Sequence, residues 1–257
     1  DFSNPAYNKY EWPGDPNALS IGGFDFGDSG NKFYIADASY QFRQFDLATP
    51  YDLSTTSYVG ANNRPAYDYS RGPNGLVINS TGTRLVGQAD WMFYTYNLST
   101  PWDITSISSL AKANNLTNQI PGTPATNFNG VDFDSSEDNI YSTCYANVDE
   151  IFGFTVNWPS INYNSNNKLS IVPADPRAKG FMFDKTGDRF IISRQGGPLL
   201  IYTMTTPYDI TTATQTGTYD ISGINPVGNG ILDINASDDF RVIFLNNNGS
   251  LWAISQS

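Results

Sequence analysis

The sequence predicts an all-β fold, a five-bladed β-propeller with four antiparallel strands in each blade. Three observations support this prediction: an internal repeat, a strand-and-turn pattern inside each repeat, and a composition rich in turn residues. Copies of the repeat start near residues 23, 75, 130, 180 and 230. A period of about 50 residues, filled with short strands, is typical of propeller blades.

The fourth copy shows the strands of one blade most clearly. Its first three apolar runs are Phe181–Phe183, Phe190–Ser193 and Leu199–Met204. A fourth run follows near Thr212–Tyr219. Short runs rich in Ile, Phe and Tyr, bounded by Gly, Asn and Asp, are typical of strands joined by tight turns. We therefore expect one propeller domain over residues 1–257.

The fifth copy ends after three strands, which would leave an open sheet edge. Residues 4–12, NPAYNKYEW, combine a proline with aromatic residues in an order similar to that of residues 50–58 in the first copy. We predict that Tyr7–Trp12 supplies the missing outer strand of blade five and closes the ring.

A recurring phrase follows the third strand of three blades. It reads LATPYDLSTTS at 47–57, LSTPWDITSIS at 98–108 and MTTPYDITTAT at 204–214. Proline presets a turn, and the aspartate can accept a hydrogen bond from the backbone two residues on. We interpret the phrase as the turn between the third and fourth strands, called the joint below. Aromatic residues recur in the joint at one blade position, namely Tyr51, Trp102, Trp158 and Tyr208. The alternative interpretation of the joint is that these residues form a ring of platforms on which sugars stack.

Two resemblances follow from these residues. The segment DKTGDRFIIS…LLIYTM resembles the YVTN/NHL-type propeller repeat, and the joint resembles propeller repeats of tailed-phage virion proteins and of some bacterial surface proteins. Blade three departs from this pattern with VNWPSINY at 156–163. The resemblance implies a tail-fibre, knob or capsid-surface component, located on a virion or an extracellular surface and suited to a symmetric assembly. Its expected partners are another virion or surface protein and a host glycan.

Composition argues against most other functions. The chain has no histidine and one cysteine, which removes His-dependent nucleophilic sites and ordinary zinc sites. A net charge of −11 argues against nucleic acid, and no apolar run is long enough to insert in a membrane. We expect a binding or structural module that is not an enzyme and that has no cofactor and no metal. Acidic turns with Asp134, Glu137 and Asp138 lack calcium-ligand spacing.

The two faces of the predicted disc differ. Turns between the first and second strands share one face with the joints, called the joint face. Loops that differ from blade to blade share the opposite, variable face, where we expect binding because variable loops carry function. The candidate residues there are Tyr40, Arg64, Tyr67, Tyr69, Arg71, Trp91, Glu150 and Arg177.

Carboxylates are also expected at the mouth of the central channel. Asp25, Asp132 and Asp233 stand near the third position of their repeats, which we place close to the variable face. In the ordinary case these carboxylates are solvated by water or accept hydrogen bonds from backbone amides. Two functional alternatives stay open: a lectin outside a virus, and a glycosidase-like enzyme with Asp25 and Asp132 as base and modulator and Glu150 as acid.

Overall fold

The computed structural model describes residues 6–10, 21–37, 41–63, 74–116, 119–120, 127–145, 150–171, 178–194, 197–221, 233–237, 242–247 and 250–255. These residues form five sheets, each of four antiparallel strands. The inner strands of neighbouring sheets contact one another around a closed ring. The predicted five-bladed β-propeller is therefore confirmed.

The strands follow the order of the repeats. Blade one contains β2 (Ile21–Gly27), β3 (Lys32–Asp37), β4 (Gln41–Leu47) and β5 (Thr56–Asn63), after β1 (Ala6–Tyr10). Blade two contains β6 (Gly75–Ile78), β7 (Arg84–Ala89), β8 (Met92–Asn97) and β9 (Leu110–Asn115). Blade three contains β10 (Asn127–Phe133), β11 (Asn139–Tyr145), β12 (Glu150–Asn157) and β13 (Ser160–Ser170).

The last two blades are completed differently from each other. Blade four contains β14 (Ala178–Phe183), β15 (Arg189–Arg194), β16 (Leu199–Met204) and β17 (Ala213–Tyr219). Blade five contains β18 (Asp233–Ala236), β19 (Val242–Asn247) and β20 (Ser250–Ser255). Its fourth strand is β1, which pairs with β20 from Ala6 opposite Ser255 to Tyr10 opposite Leu251. Ring closure by the amino-terminal strand is confirmed, with Ala6–Tyr10 in place of the predicted Tyr7–Trp12.

Aromatic side chains fill the spaces between neighbouring blades. Phe42 of blade one packs edge-on against Tyr96 of blade two, with ring centroids 5.4 Å apart. Phe93 of blade two packs in the same way against Phe154 of blade three, at 5.2 Å. All four side chains are fully buried. Burial of one such side chain contributes about 1.5–3 kcal/mol, so the interfaces between blades are a main source of stability.

The joint is a turn between the third and fourth strands of a blade, as predicted from its proline and aspartate. Asp52, Asp103 and Asp209 each accept a hydrogen bond from the backbone N–H two residues on, at 2.9–3.1 Å. The aromatic residue before each aspartate has a left-handed backbone, with φ of 59–64°. Its ring lies on a glycine of the turn between the first two strands, where a Cβ would overlap the ring. The pairs are Tyr51 on Gly30, Trp102 on Gly82 and Tyr208 on Gly187.

Blade three lacks this pairing. Its turn between the third and fourth strands contains Trp158, followed by a cis peptide bond to Pro159. The Trp158 indole N–H donates to the side chain of Asn97 in blade two, at 2.8 Å. Where blades two and four have a turn glycine, blade three has Glu137 with a φ of 60°. Trp158 therefore does not occupy the position of the other joint aromatics.

Inner strands approach one another closely at one glycine in each of blades one to four. A Cβ on Gly23 would lie 2.6 Å from the Cα and carbonyl carbon of Gly75 in the next blade. On Gly180 it would lie 2.8 Å from the carbonyl carbon of Asp233 in blade five. Glycine is needed at Gly23 and Gly180 because backbone, rather than a movable side chain, occupies the space. No helix among the described residues is long and apolar enough to span a membrane.

Candidate functional site

A cavity of about 360 Å³ lies at the centre of the ring and is lined by the inner strands of all five blades. Its rim includes turn residues such as Ser80 and Lys185, and the joint residues Tyr51 and Tyr208. These turns and joints belong to the joint face. We call this cavity the channel pocket.

Asp25, Asp132 and Asp233 all line the channel pocket, but the predicted position close to the variable face is wrong for Asp25 and Asp132. β2 starts at Ile21 and β10 at Asn127, two and three residues before the glycines from which these two repeats were counted. Asp25 and Asp132 therefore lie near the ends of their strands, beside the turns of the joint face.

All three carboxylates accept a hydrogen bond from a neighbouring blade, and Asp25 and Asp132 do so in the same way. Asp25 accepts hydrogen bonds from its neighbour Phe26 N–H and from Ile78 N–H of blade two, both at 2.8 Å. Asp132 accepts from Phe133 N–H and from Phe183 N–H of blade four, also at 2.8 Å. Each aspartate thus joins its own inner strand to the next one. The expectation that backbone amides bond these groups holds for both.

Blade five places an amide, not a carboxylate, at the equivalent position. Asp25 pairs across its hairpin with Tyr34, and Asn235 pairs in the same register with Phe244. Asn235 is therefore the counterpart of Asp25. Asp233 lies two residues earlier, at the position of the close-approach glycines, and accepts a hydrogen bond from Phe24 N–H of blade one at 2.9 Å. Treating Asp233 as the third member of the aspartate set is thus wrong.

Burial changes the acidity of all three carboxyls. Desolvation raises the pKa of Asp25 to about 8, against the hydrogen bonds from Ile78, Asn235 and Phe26. Desolvation likewise raises the pKa of Asp132 to about 7, and that of Asp233 well above its ordinary value. Asp25 is only 8% exposed, whereas Asp132 is partly exposed to the pocket. Two carboxyl groups that titrate near neutral pH therefore line one cavity.

The rim of the channel pocket carries a fixed negative charge. Glu137 of blade three accepts hydrogen bonds from Ser80 N–H and Asn79 Nδ2 of blade two, at 2.7 and 3.0 Å. Burial pushes the pKa of Glu137 upward, but these hydrogen bonds outweigh it and hold the pKa below its ordinary value. Asp134 and Asp184 also line the pocket, where Asp184 is ion-paired with Arg189 and Lys185 supplies a positive charge, so the acidic side chains outnumber the basic ones. The electrostatic environment of the pocket therefore disfavours anions.

The described residues contain no group of three or more acidic, cysteine or histidine side chains that could hold a metal ion. Of the calcium candidates, Asp134 accepts hydrogen bonds from Asn139 and Ser136, and Glu137 from blade two. Each of these two carboxylates thus has protein donors.

The variable face is described only in part. Trp91 is partly buried beside the apolar core between blades two and three. Glu150 is buried and forms an ion pair with Lys168, with 2.5 Å between Oε1 and Nζ. It does not line the channel pocket, so it cannot act as the acid partner of Asp25 and Asp132. The other candidates on this face lie outside the described residues: Tyr40, Arg64, Tyr67, Tyr69, Arg71 and Arg177.

Comparisons with known proteins show the fold and little more. No family model matches the chain, and no curated protein matches its sequence. A solved structure from Bacteroides uniformis ATCC 8492, named as a "putative 6-phosphogluconolactonase", is similar with a TM-score of 0.54 and 12% identity. The similarity covers 88% of this chain but only 64% of the other.

This similarity corrects one expectation. The prediction that the chain is not an enzyme is contradicted, because a structure similar over 88% of this chain carries the name of an enzyme. At 12% identity the likeness establishes the propeller fold alone.

Proposed function

We propose that the protein is a hydrolase of neutral sugar lactones and that the channel pocket is its active site. The main support is the pair of carboxyl groups, Asp132 and Asp25, which line one cavity and have pKa values of about 7 and about 8. Groups that titrate near the working pH are the most effective general acids and bases. The class of substrate is taken from the name of the similar structure.

The reaction assigns one role to each carboxyl group. Between pH 7 and 8, ionised Asp132 takes a proton from water as the water oxygen bonds to the lactone carbonyl carbon. The bond between that carbon and the ring oxygen then breaks, and protonated Asp25 donates its proton to the ring oxygen. The product is a hydroxy acid, which ionises and releases one proton to solvent. The proton that Asp132 took from water passes through solvent to Asp25, which restores both groups. Asp132 is assigned as the base because its lower pKa leaves it ionised where Asp25 is still protonated, and it is the more exposed of the two.

The charge of the pocket selects against phosphorylated substrates. A neutral lactone can enter beside Asp134 and Glu137, whereas a phosphate group would meet their negative charge. The same charge repels the carboxylate product and favours its release. The proposed substrate therefore differs from the phosphorylated lactone in the name of the similar structure.

We expect the protein to accelerate glucono-δ-lactone hydrolysis, measured by pH-stat above the spontaneous rate, and to accelerate that of the 6-phosphate much less. Asp132→Asn should lower kcat by about 100-fold or more, because the general base is lost. The rate should rise with pH as Asp132 ionises near 7 and fall as Asp25 loses its proton near 8.

Asp188→Asn is the matched control, since Asp188 is exposed on the turn before β15 and does not line the pocket. Equal rates for Asp132→Asn and wild type would contradict the proposal, as would no rate above that of buffer.

A second candidate is display on a virus particle, where the disc engages another virion protein or a host glycan. It is supported by the resemblance of the joint to tailed-phage repeats. It is also favoured by two exposed apolar side chains on the outer strand of blade one, Tyr58 and Val59, which are 56% and 45% exposed. Exposed apolar side chains are typical of contact surfaces where they belong to a larger contiguous patch.

In a density gradient of particles from the source culture, an antibody against the chain should then detect it in the intact-particle band. Detection only in the soluble fraction would rule out the display role.

A further inference from the structure

We propose that Asn235 is a positioning residue, which confines the proton of Asp25 to the carboxyl oxygen Oδ2. This inference rests on the proposed hydrolase function, in which Asp25 donates a proton. It concerns a residue that the repeat pattern did not indicate, because blades one and three have aspartate at the same position.

The orientation of the Asn235 amide is fixed by the backbone. Ala236 N–H can only donate a hydrogen bond, and it lies 2.7 Å from Asn235 Oδ1, so this atom must be the amide oxygen. The NH₂ group of the amide therefore points the other way. It donates to Asp25 Oδ1 at 2.7 Å, across the junction between blades five and one.

The two oxygens of Asp25 are consequently not equivalent. Oδ1 accepts from both Asn235 Nδ2 and Phe26 N–H, which occupies its two lone pairs. Among the residues that the structure describes, Oδ2 accepts only from Ile78 N–H, which leaves one lone pair for a proton. Asp132 differs, because each of its oxygens accepts one backbone N–H. Asn235 thus makes Oδ2 the proton-donating atom of Asp25.

The charged and titratable groups around Asp25 do not determine this choice. The negative charges of Asp132 and Asp233 act on the carboxyl as a whole. Tyr34, opposite Asp25 in the hairpin, donates its hydroxyl proton to Trp102 O at 2.9 Å. Within the described part of the chain, only Asn235 and the two backbone amides are hydrogen-bonded to individual Asp25 oxygens.

The test compares Asn235→Ala and Asn235→Ser with wild type in lactone hydrolysis. Loss of the donor should raise the alkaline limb of the pH profile by about one pH unit. It should also lower kcat about tenfold with little change in KM, because the proton is no longer held in one position. Asp188→Asn, at an exposed position that does not line the pocket, should change neither.

Titration of the Asp25 carboxyl by ¹³C NMR of aspartate-labelled protein gives a readout that needs no turnover. An increase of about one pH unit in the Asp25 pKa of both Asn235 variants supports the inference. If this increase is observed but the protein hydrolyses no lactone, the inference stands and the hydrolase proposal fails. An unchanged Asp25 titration would overturn the inference, even if lactone turnover is present.

Discussion

Removal of residues 1–12, which include β1, should lower the melting temperature by roughly 10 °C or more. The reason is that β1 supplies the fourth strand of blade five, with Ala6 opposite Ser255 and Tyr10 opposite Leu251. Its loss removes this ladder and exposes the edge of β20, which invites association between chains. Circular dichroism melting curves at two protein concentrations would measure both effects.

A peptide of residues 1–12, added to the shortened protein, should restore most of the lost stability. A scrambled peptide of the same composition is the control, since it keeps charge and length but not the strand register. An unchanged melting temperature after the deletion would show that the closing strand contributes little to stability.

Gly23→Ala should destabilise the protein by about 2–3 kcal/mol, or roughly 5–10 °C in melting temperature. The added Cβ would lie 2.6 Å from two backbone atoms of Gly75 and 2.7 Å from Leu76 N. No side chain can move aside, so the inner strands of blades one and two must separate. The expected loss is therefore one of packing between blades and not of local strand conformation.

Gly217→Ala on β17 is the matched control. Its Cβ would contact only Ile201, at 3.8 and 3.9 Å, which is ordinary van der Waals distance. This variant should stay within about 1 kcal/mol of wild type. If both variants melt like wild type, close approach of the inner strands does not limit what can occupy the Gly23 position.

The fold could be predicted because each strand is bounded by strong turn residues. Leu199–Met204 lies between Gly-Gly-Pro and a Thr-Thr-Pro joint, and the structure gives β16 the same bounds. The joint aspartates also behave as predicted, since a side-chain-to-backbone bond two residues on is a local interaction. Local chemistry determines these elements, so a single sequence suffices to predict them.

The pocket was harder to predict because it depends on register. Counting from Gly230 selects Asp233, whereas pairing with Phe244 makes Asn235 the counterpart of Asp25. The joint residues Tyr51 and Tyr208 reach the rim of the pocket, which their recurrence at one blade position does not indicate. Glu137 forms hydrogen bonds to a blade 57 residues earlier in the chain, and no local pattern indicates such a contact.

The pairing of β1 with β20 also determines how the ring would respond to mechanical force. Ala6 lies opposite Ser255, so the outer ends of the two strands meet at the same end of their ladder. Tension applied through these two ends would break the hydrogen bonds between the strands one pair at a time. It would not load all of the pairs together in shear. The disc should therefore open first at blade five under tension, at low force, while the other four blades keep their pairing.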